Sequence, residues 1–496
     1  MAGIGFHLQK LFKEDHLSSH MRAYSFTAMV TAGPWLIVIA ALLLIRSIIA
    51  QFGDPSFNGL NIITASISYC FIFSQLLFGS FQLIATRYAA DRLYAKDVNS
   101  LFPTMAGLIL LLSAISTTIW IVFALLSPMP IVYKWLLLML FLALNIIWSQ
   151  TIFLTAAKNY TAITKAFGAG AFVAVACTWI VSILPIQTST AFLFEGWVIA
   201  SFTFGMIVTA VWLSTILLQM FPEKSTDGMF SFLTYIDKFP RMFWAGFFYN
   251  AGLWVCNVLI WFGEGSLVIE DTFRMNPQYD TAIFWSYLTI VPTYMFFVIS
   301  IETRFYTKYK RFYNYINNGG TLDQINQSKE EMQKTLRDEI ERLMRNQGVV
   351  TFLIIVGVLF YSFNFGQNQN AYTILQLGII GAFANAMLLI NMLLMLYFED
   401  QSGAAKAAAL FFTVNLLLTA ILLPFGERAY GISFALGSIL AFMYSLQRLF
   451  AYVKKIDYHV FAPALQHGKP AFFTSLAEKL NKTKKYPARH KGGTFF

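Results

Sequence analysis

Long apolar runs separated by short polar breaks set the rhythm of this chain. Runs of about 20 mostly apolar residues recur near 26–49, 61–84, 101–126, 131–154, 165–184, 196–218, 242–262, 280–301, 348–365, 371–398, 405–424 and 431–452. A helix of that length, rising about 1.5 Å per residue, spans a hydrocarbon layer about 30 Å thick. The pattern predicts an all-α polytopic membrane protein with about 12 transmembrane helices. The weakest run is the ninth, and the turn Pro128-Met129-Pro130 parts the third from the fourth.

The polar breaks divide the runs six and six. Residues 26–220 form a predicted N-terminal six-helix lobe and 241–452 a C-terminal one. The link 221–240, "FPEKSTDGMFSFLTYIDKFP", is polar and bracketed by prolines. Six plus six is the hydropathy pattern of many secondary transporters. Residues 1–25 carry Lys10, Lys13 and Arg22 beside Ile4, Leu8, Leu11 and Phe12, the makings of an amphipathic segment lying along the cytoplasmic surface. The apolar run that follows continues to about Ile49, too long for the core of a cleaved signal, so it is predicted to be retained as the first span. Within it Pro34 removes a backbone donor and Gly33 permits close approach, making Gly33-Pro34-Trp35 a candidate helix break or gate. Pro292 is a second such candidate.

Segment 302–347 is the one substantial polar insertion. It has helix formers and mixed charge, with Thr321 or Asp323 placed to start a helix. Leu336, Ile340 and Leu343 share one face, which is either the covered side of a solvated helix or a docking surface for a cytoplasmic partner. The basic tail 453–496 either fixes topology or is drawn to anionic headgroups.

Composition agrees. The chain has 496 residues, of which 57% are hydrophobic and 12% charged; soluble domains carry about one quarter charged residues. The net charge of +10 is better explained by topology than by nucleic acid. With the N-terminus inside, all of the 35 Lys and Arg except Arg46, Lys134, Arg274 and Arg428 fall in inward segments. This predicts an even number of spans with both termini cytoplasmic. Cys70, Cys177 and Cys256 lie in apolar runs without a CxxC spacing. The six histidines lie outside the runs, HExxH is absent, and so is a GxxxxGK[ST] loop. No enzymatic constellation, metal site or cofactor is expected.

Polar residues within the runs are costly and therefore informative. Gln75 and Gln82 lie seven apart on the second run, as do Asn250 and Asn257 on the seventh; Asn145 and Gln150 lie on the fourth, Asn385 and Asn391 on the tenth. Amides of this kind either line a translocation path, hydrogen-bonding sugar hydroxyls, or join helices to one another. Trp244, Tyr249, Trp254 and Trp261 either stack on sugar rings or pack the core. Glu302 ends the eighth run, and Glu399 and Asp400 the tenth. They are candidates for a cytoplasmic mouth, or pair with Arg304 or Lys406. No carboxylate stands at a clear midplane position, and Glu264, Glu270 and Asp271 fall in an outward loop.

Several extended stretches resemble a known family. "MAGIGFHLQKLF" and "RAYSFTAMVTAGPW", then "FFYNAGLWVCNVLIWFG", "YDTAIFWSYLTIVPTYMFFVISIETRFY" and "LLMLYFEDQSGA", are similar to the PelG family of inner-membrane exopolysaccharide transporters, in order over nearly the whole chain. The resemblance implies a flippase-like fold of the multidrug/oligosaccharidyl-lipid/polysaccharide exporter superfamily, with two lobes around a central cavity. It implies translocation of a partly deacetylated, amino-sugar-rich polysaccharide across the bacterial inner membrane. It also implies partners: a cytoplasmic glycosyltransferase using UDP-sugars, and membrane subunits including a cyclic-di-GMP receptor. Two alternatives stand beside it, a small-molecule or drug antiporter of the same architecture and a non-conducting scaffold for the glycosyltransferase.

Overall fold

Because lipid offers no hydrogen bonds, each span must satisfy its backbone internally, and helices do so. In the computed structural model twelve helices among the described residues are long and apolar enough to cross a membrane. Residues 27–29, 32–52, 59–157, 159–183, 193–221, 228–365, 368–461 and 472–481 are described. The first six spanning helices are α1 (Gly33–Phe52), α2 (Gly59–Tyr94), α3 (Leu101–Leu126), α4 (Ile131–Ala156), α5 (Tyr160–Ile183) and α6 (Leu193–Met220). The seventh is α7 (Pro240–Ile260), followed by a small hairpin, β1 (Leu267–Ile269) against β2 (Phe273–Met275), with Val268 opposite Arg274. The eighth span is jointed: α8 (Pro277–Leu288) and α9 (Val291–Ile299), then a π-helical turn Ser300–Phe305. After α10 (Tyr306–Asn317) come α11 (Leu322–Phe365), α12 (Gln369–Tyr397), α13 (Gln401–Leu422), α14 (Ile432–Lys454) and the short α15 (Phe472–Leu480).

Two hydrophobic cores match the two lobes. One gathers Ile84, Leu108, Leu140, Phe153 and Phe202; the other gathers Met387, Leu388, Phe411, Phe434 and Leu449. The chain has two distinguishable ends, a hairpin end with β1–β2 and an overhang end where α10 and the first half of α11 project.

Three features depart from the sequence reading. The insertion from Leu322 onward and the ninth span are one helix of 44 residues, about 66 Å long at 1.5 Å per residue. Its start is a reciprocal cap: the Gln324 N–H donates to Thr321 Oγ1 (3.3 Å) and the Thr321 N–H to Gln324 Oε1 (3.0 Å). The link is no free connector: Phe232, Leu233 and Ile236 are buried in the N-terminal core. Part of the tail is also fastened there. Asp237 Oδ2 accepts from the Thr474 N–H (2.6 Å), and Asn481 Oδ1 from the Phe230 N–H (2.8 Å), so α15 lies on the link. The amphipathic segment 1–25, most of the tail and part of the link lie outside the described residues.

Candidate translocation path between the lobes

One pair of helices forms the seam between the lobes, and small residues bring them together. Where α2 crosses α7, a Cβ on Gly246 would come nearer than 3.0 Å to the Gly79 carbonyl oxygen, and one on Gly79 would strike the Asn250 amide. Asn250 is buried there and donates from Nδ2 to the Gly246 carbonyl (2.8 Å).

Toward the hairpin end the seam is aromatic. The Tyr69 ring of α2 stacks on Trp261 with centroids 4.7 Å apart, and its hydroxyl donates to the Arg274 carbonyl (2.8 Å). Trp261 is fixed by Asp280 of α8, whose carboxylate accepts from Trp261 Nε1 (2.9 Å), Asn257 Nδ2 (2.8 Å) and the Asn276 N–H (3.0 Å). Ser127 and Thr272 share a further hydrogen bond (3.0 Å). Toward the overhang end the seam is charged. Arg87 of α2 pairs with Glu399 after α12 (2.6 Å) and with Asp91 (3.2 Å). Tyr235 donates to Asp91 (3.0 Å), and burial pushes its phenol up to about 12.

Beside this seam α2 presents a polar face. Asn61, Thr64, Ser68, Gln75, Gln82 and Thr86 follow at helical spacings that keep them on one side. Asn61, Thr64, Gln82 and Thr86 are exposed and Ser68 and Gln75 half-buried.

The remaining sequence candidates divide by their partners. Asn145 donates to Ser116 Oγ (3.1 Å) and Gln150 to Ser214 Oγ (2.6 Å), joining α4 to α3 and α6. Asn385 accepts from the Tyr249 hydroxyl (2.8 Å), and Asn391 donates to Ser445 Oγ (3.0 Å), fastening α12 to α7 and α14. These four join helices. Trp254 is half-buried, its indole N–H without a hydrogen-bond partner among the described residues. Neither of the two mouth acids that end the tenth run has the partner named from sequence. Glu399 meets Arg87 across the seam, while Asp400 caps α13 at the Gly403 N–H (2.9 Å) and holds Arg448 in two bonds (2.7 and 3.1 Å). The side chain of Glu302 lies outside the described residues; its backbone is in the π-helical turn.

The helix breaks fall differently too. Described α1 begins at Gly33, with Pro34 second, but residues 27–29 are helical too and the Ala32 N–H donates to the Ala28 carbonyl (2.9 Å); residues 30 and 31 between them lie outside the described ones. A Cβ on Gly33 would meet only ordinary contacts among the described residues, the nearest at 3.5 Å from Thr164, so Gly33 marks no unusually close approach to them. Trp35 is half-buried. Pro292 does sit at a discontinuity, in the first turn of α9. Leu336, Ile340 and Leu343 are covered by this chain, packed in the C-terminal core with Phe312 of α10. A partner cannot dock on that stripe as it stands.

Sequence reasoning missed Asp280, Arg87, Tyr69 and the buried Glu339. Asp280 stands in "NPQYDTAIFW", where a proline at the run's edge makes it look like loop. Glu339 accepts from Ser300 Oγ (2.6 Å) and is flanked by Arg342 (3.0 Å) and Arg304 (3.4 Å).

This architecture has known counterparts. A MOP-superfamily transporter from Pyrococcus furiosus is similar at 11% identity and TM-score 0.57, over 87% of this chain and 96% of that one. A multidrug resistance MATE family transporter of the same superfamily is similar in its outward-facing conformation at 11% identity and TM-score 0.58, over 87% and 96% of the two chains. A multidrug resistance MATE family transporter in an inward-facing conformation gives 11% and 0.53, over 88% and 96%. At that identity these show the fold. No curated protein matches in sequence. Residues 1–461 match PelG, the family of exopolysaccharide exporters (EPS-E). The chain therefore belongs to the PelG family, built on the two-lobed fold of MOP-superfamily transporters.

Proposed function

We propose that this protein translocates a Pel-type exopolysaccharide across the bacterial inner membrane by alternately parting the two ends of the α2–α7 seam. The observation that carries the reading is the polar face of α2. An exposed row of amides and hydroxyls is costly against lipid and at home along a water-filled cleft. Amides and aromatics give weak, repeatable contacts to a neutral or cationic glycan, and hold it without trapping it. The overhang end is taken as cytoplasmic, since Lys and Arg gather there. On this reading both termini are cytoplasmic, and the overhang and tail face the glycosyltransferase and the cyclic-di-GMP receptor subunit that the family resemblance implies.

The test is reconstitution. Vesicles holding this protein and its glycosyltransferase, with the overhang end outward, receive UDP-sugar outside. Polymer protected inside the vesicle is the expected result, and it should fall sharply when Gln75 and Gln82 become leucine. Polymer found only outside would favour the non-conducting scaffold and end the conduction reading.

A further inference from the structure

A groove between α7 and α13, on the outside of the C-terminal lobe, lies apart from the seam. Near their hairpin ends these helices are locked together: Asn415 Nδ2 donates to the Gly252 carbonyl (3.1 Å), and Phe411 fills the space a Gly252 Cβ would take. Toward their overhang ends the same pair leaves a groove of about 390 Å3, lined by Arg241, Trp244 and Phe248 of α7 and by Ser402, Ala405, Lys406 and Ala409 of α13. Arg241, Trp244 and Phe248 stand at i, i+3 and i+7, one face of a helix. Small alanines opposite them leave the space.

The lining is layered by chemistry. Arg241, the second residue of α7, and Lys406, in the second turn of α13, are both exposed. No carboxylate lies within salt-bridge distance of either among the described residues. Deeper along α7 the groove becomes aromatic, with Trp244 stacked on Phe248 (5.5 Å) and Phe248 beside Phe412 (5.7 Å). Two unopposed cations at the end of a span, above an apolar and aromatic furrow, match a ligand with an anionic head and a hydrocarbon tail.

We propose that this groove binds an anionic phospholipid, its headgroup phosphate between Arg241 and Lys406 and one acyl chain along Trp244, Phe248 and Ala409. A zwitterionic lipid would bring its own ammonium beside the two cations, so the site discriminates by charge. The bound lipid fills the space that the small residues of α13 leave beside α7, the C-terminal member of the seam.

Trp244 reports occupancy. The full chain is placed in vesicles doped with phosphatidylglycerol or phosphatidylcholine carrying brominated acyl chains, and indole quenching is compared. Subtracting the Trp244→Phe protein isolates this residue. Stronger quenching by brominated phosphatidylglycerol is expected. The preference should drop roughly fivefold for Lys406→Gln, and about tenfold or more for Arg241→Gln with Lys406→Gln. Lys406 is exposed, so its single variant reads the result even if the double variant misfolds. Equal quenching by the two lipids, or an excess that survives Lys406→Gln in full, would overturn the site. Loss of the excess on adding soluble glycerol 3-phosphate would show a site for free phosphate, and would equally overturn the lipid assignment.

Discussion

Replacing Gly246 with leucine tests the seam most directly. Any Cβ at this position would meet the backbone carbonyl of Gly79, and a helix backbone cannot step aside as a side-chain tip can. The helices must separate. Overpacking of this kind costs about 1–3 kcal/mol, and occasionally more. Against it stands a gain of about 1 kcal/mol, because glycine is a poor helix former. Alanine at 246 should therefore already cost about 1 kcal/mol net, and leucine about 2 kcal/mol. At 1.4 kcal/mol per factor of ten, that shifts the equilibrium about 30-fold toward parted lobes. The internal control is Gly168 of α5, where an added Cβ meets nothing within 4 Å. Leucine there should be neutral or slightly stabilising. Spin labels on the two lobes would read the inter-lobe distance, with thermal unfolding alongside. If Gly246→Leu keeps both the wild-type distance and melting temperature, or Gly168→Leu does equal harm, the close crossing is not what holds the lobes together.

Three further outcomes follow from named contacts. Arg87→Glu should impair export and Glu399→Arg in the same chain should restore it, while stability moves by no more than about 1 kcal/mol, because the pair is half-exposed; failure of the exchange to rescue export would remove this pair from the seam. Gln75→Leu with Gln82→Leu should lower export without lowering the melting temperature, whereas Asn145→Leu and Gln150→Leu should each cost about 1 kcal/mol of stability by unpairing Ser116 and Ser214; the reverse pattern would exchange the roles assigned to these amides. Gln347→Leu should leave the Thr289 carbonyl without its donor, cost about 1–3 kcal/mol, and speed amide hydrogen exchange at 289–293; unchanged exchange there would mean the joint needs no support.

The spans were legible because a membrane helix announces itself through about 20 consecutive apolar residues, whatever surrounds it. The single helix over Leu322–Phe365 was not, because hydropathy registers its apolar half and treats its charged half as an insertion. What shows the continuity is an absence of punctuation: after the Thr321–Gln324 cap, no proline interrupts the run to Phe365. The amides could be located but not sorted. Gln82 and Gln150 are chemically the same; one is exposed on α2 and the other is buried against Ser214, a residue 64 positions away. Arg87 and Glu399 are 312 positions apart, and nothing local to either announces the other. Pro292, a candidate break by sequence, stands in the first turn after the Thr289–Ile290 break. Pro34 follows residues 30 and 31, which lie outside the described ones.

The jointed eighth span and the long helix beside it make one mechanical unit. Helix α8–α9 is irregular in two places, the break at Thr289–Ile290 and the π-helical turn at Ser300–Phe305. Breaks in a membrane helix free polar groups that must find partners, and α11 reaches both irregular places. Gln347 Nε2 donates to the Thr289 carbonyl (3.0 Å) at the first, and Glu339 accepts from Ser300 Oγ (2.6 Å) at the second. The two grips lie eight residues apart on α11, about 12 Å along one unbroken helix. Beyond Glu339 the same helix continues into the overhang, where Lys329 pairs with Asp457 and Gln333 donates to the Val453 carbonyl (2.9 Å). A force applied to the overhang therefore reaches both irregular points of the eighth span through a single rigid rod. At its other end α8 holds Asp280, and through it Trp261 and Tyr69. Contacts made on the overhang and the aromatic half of the seam are thus joined by a short series of bonded groups.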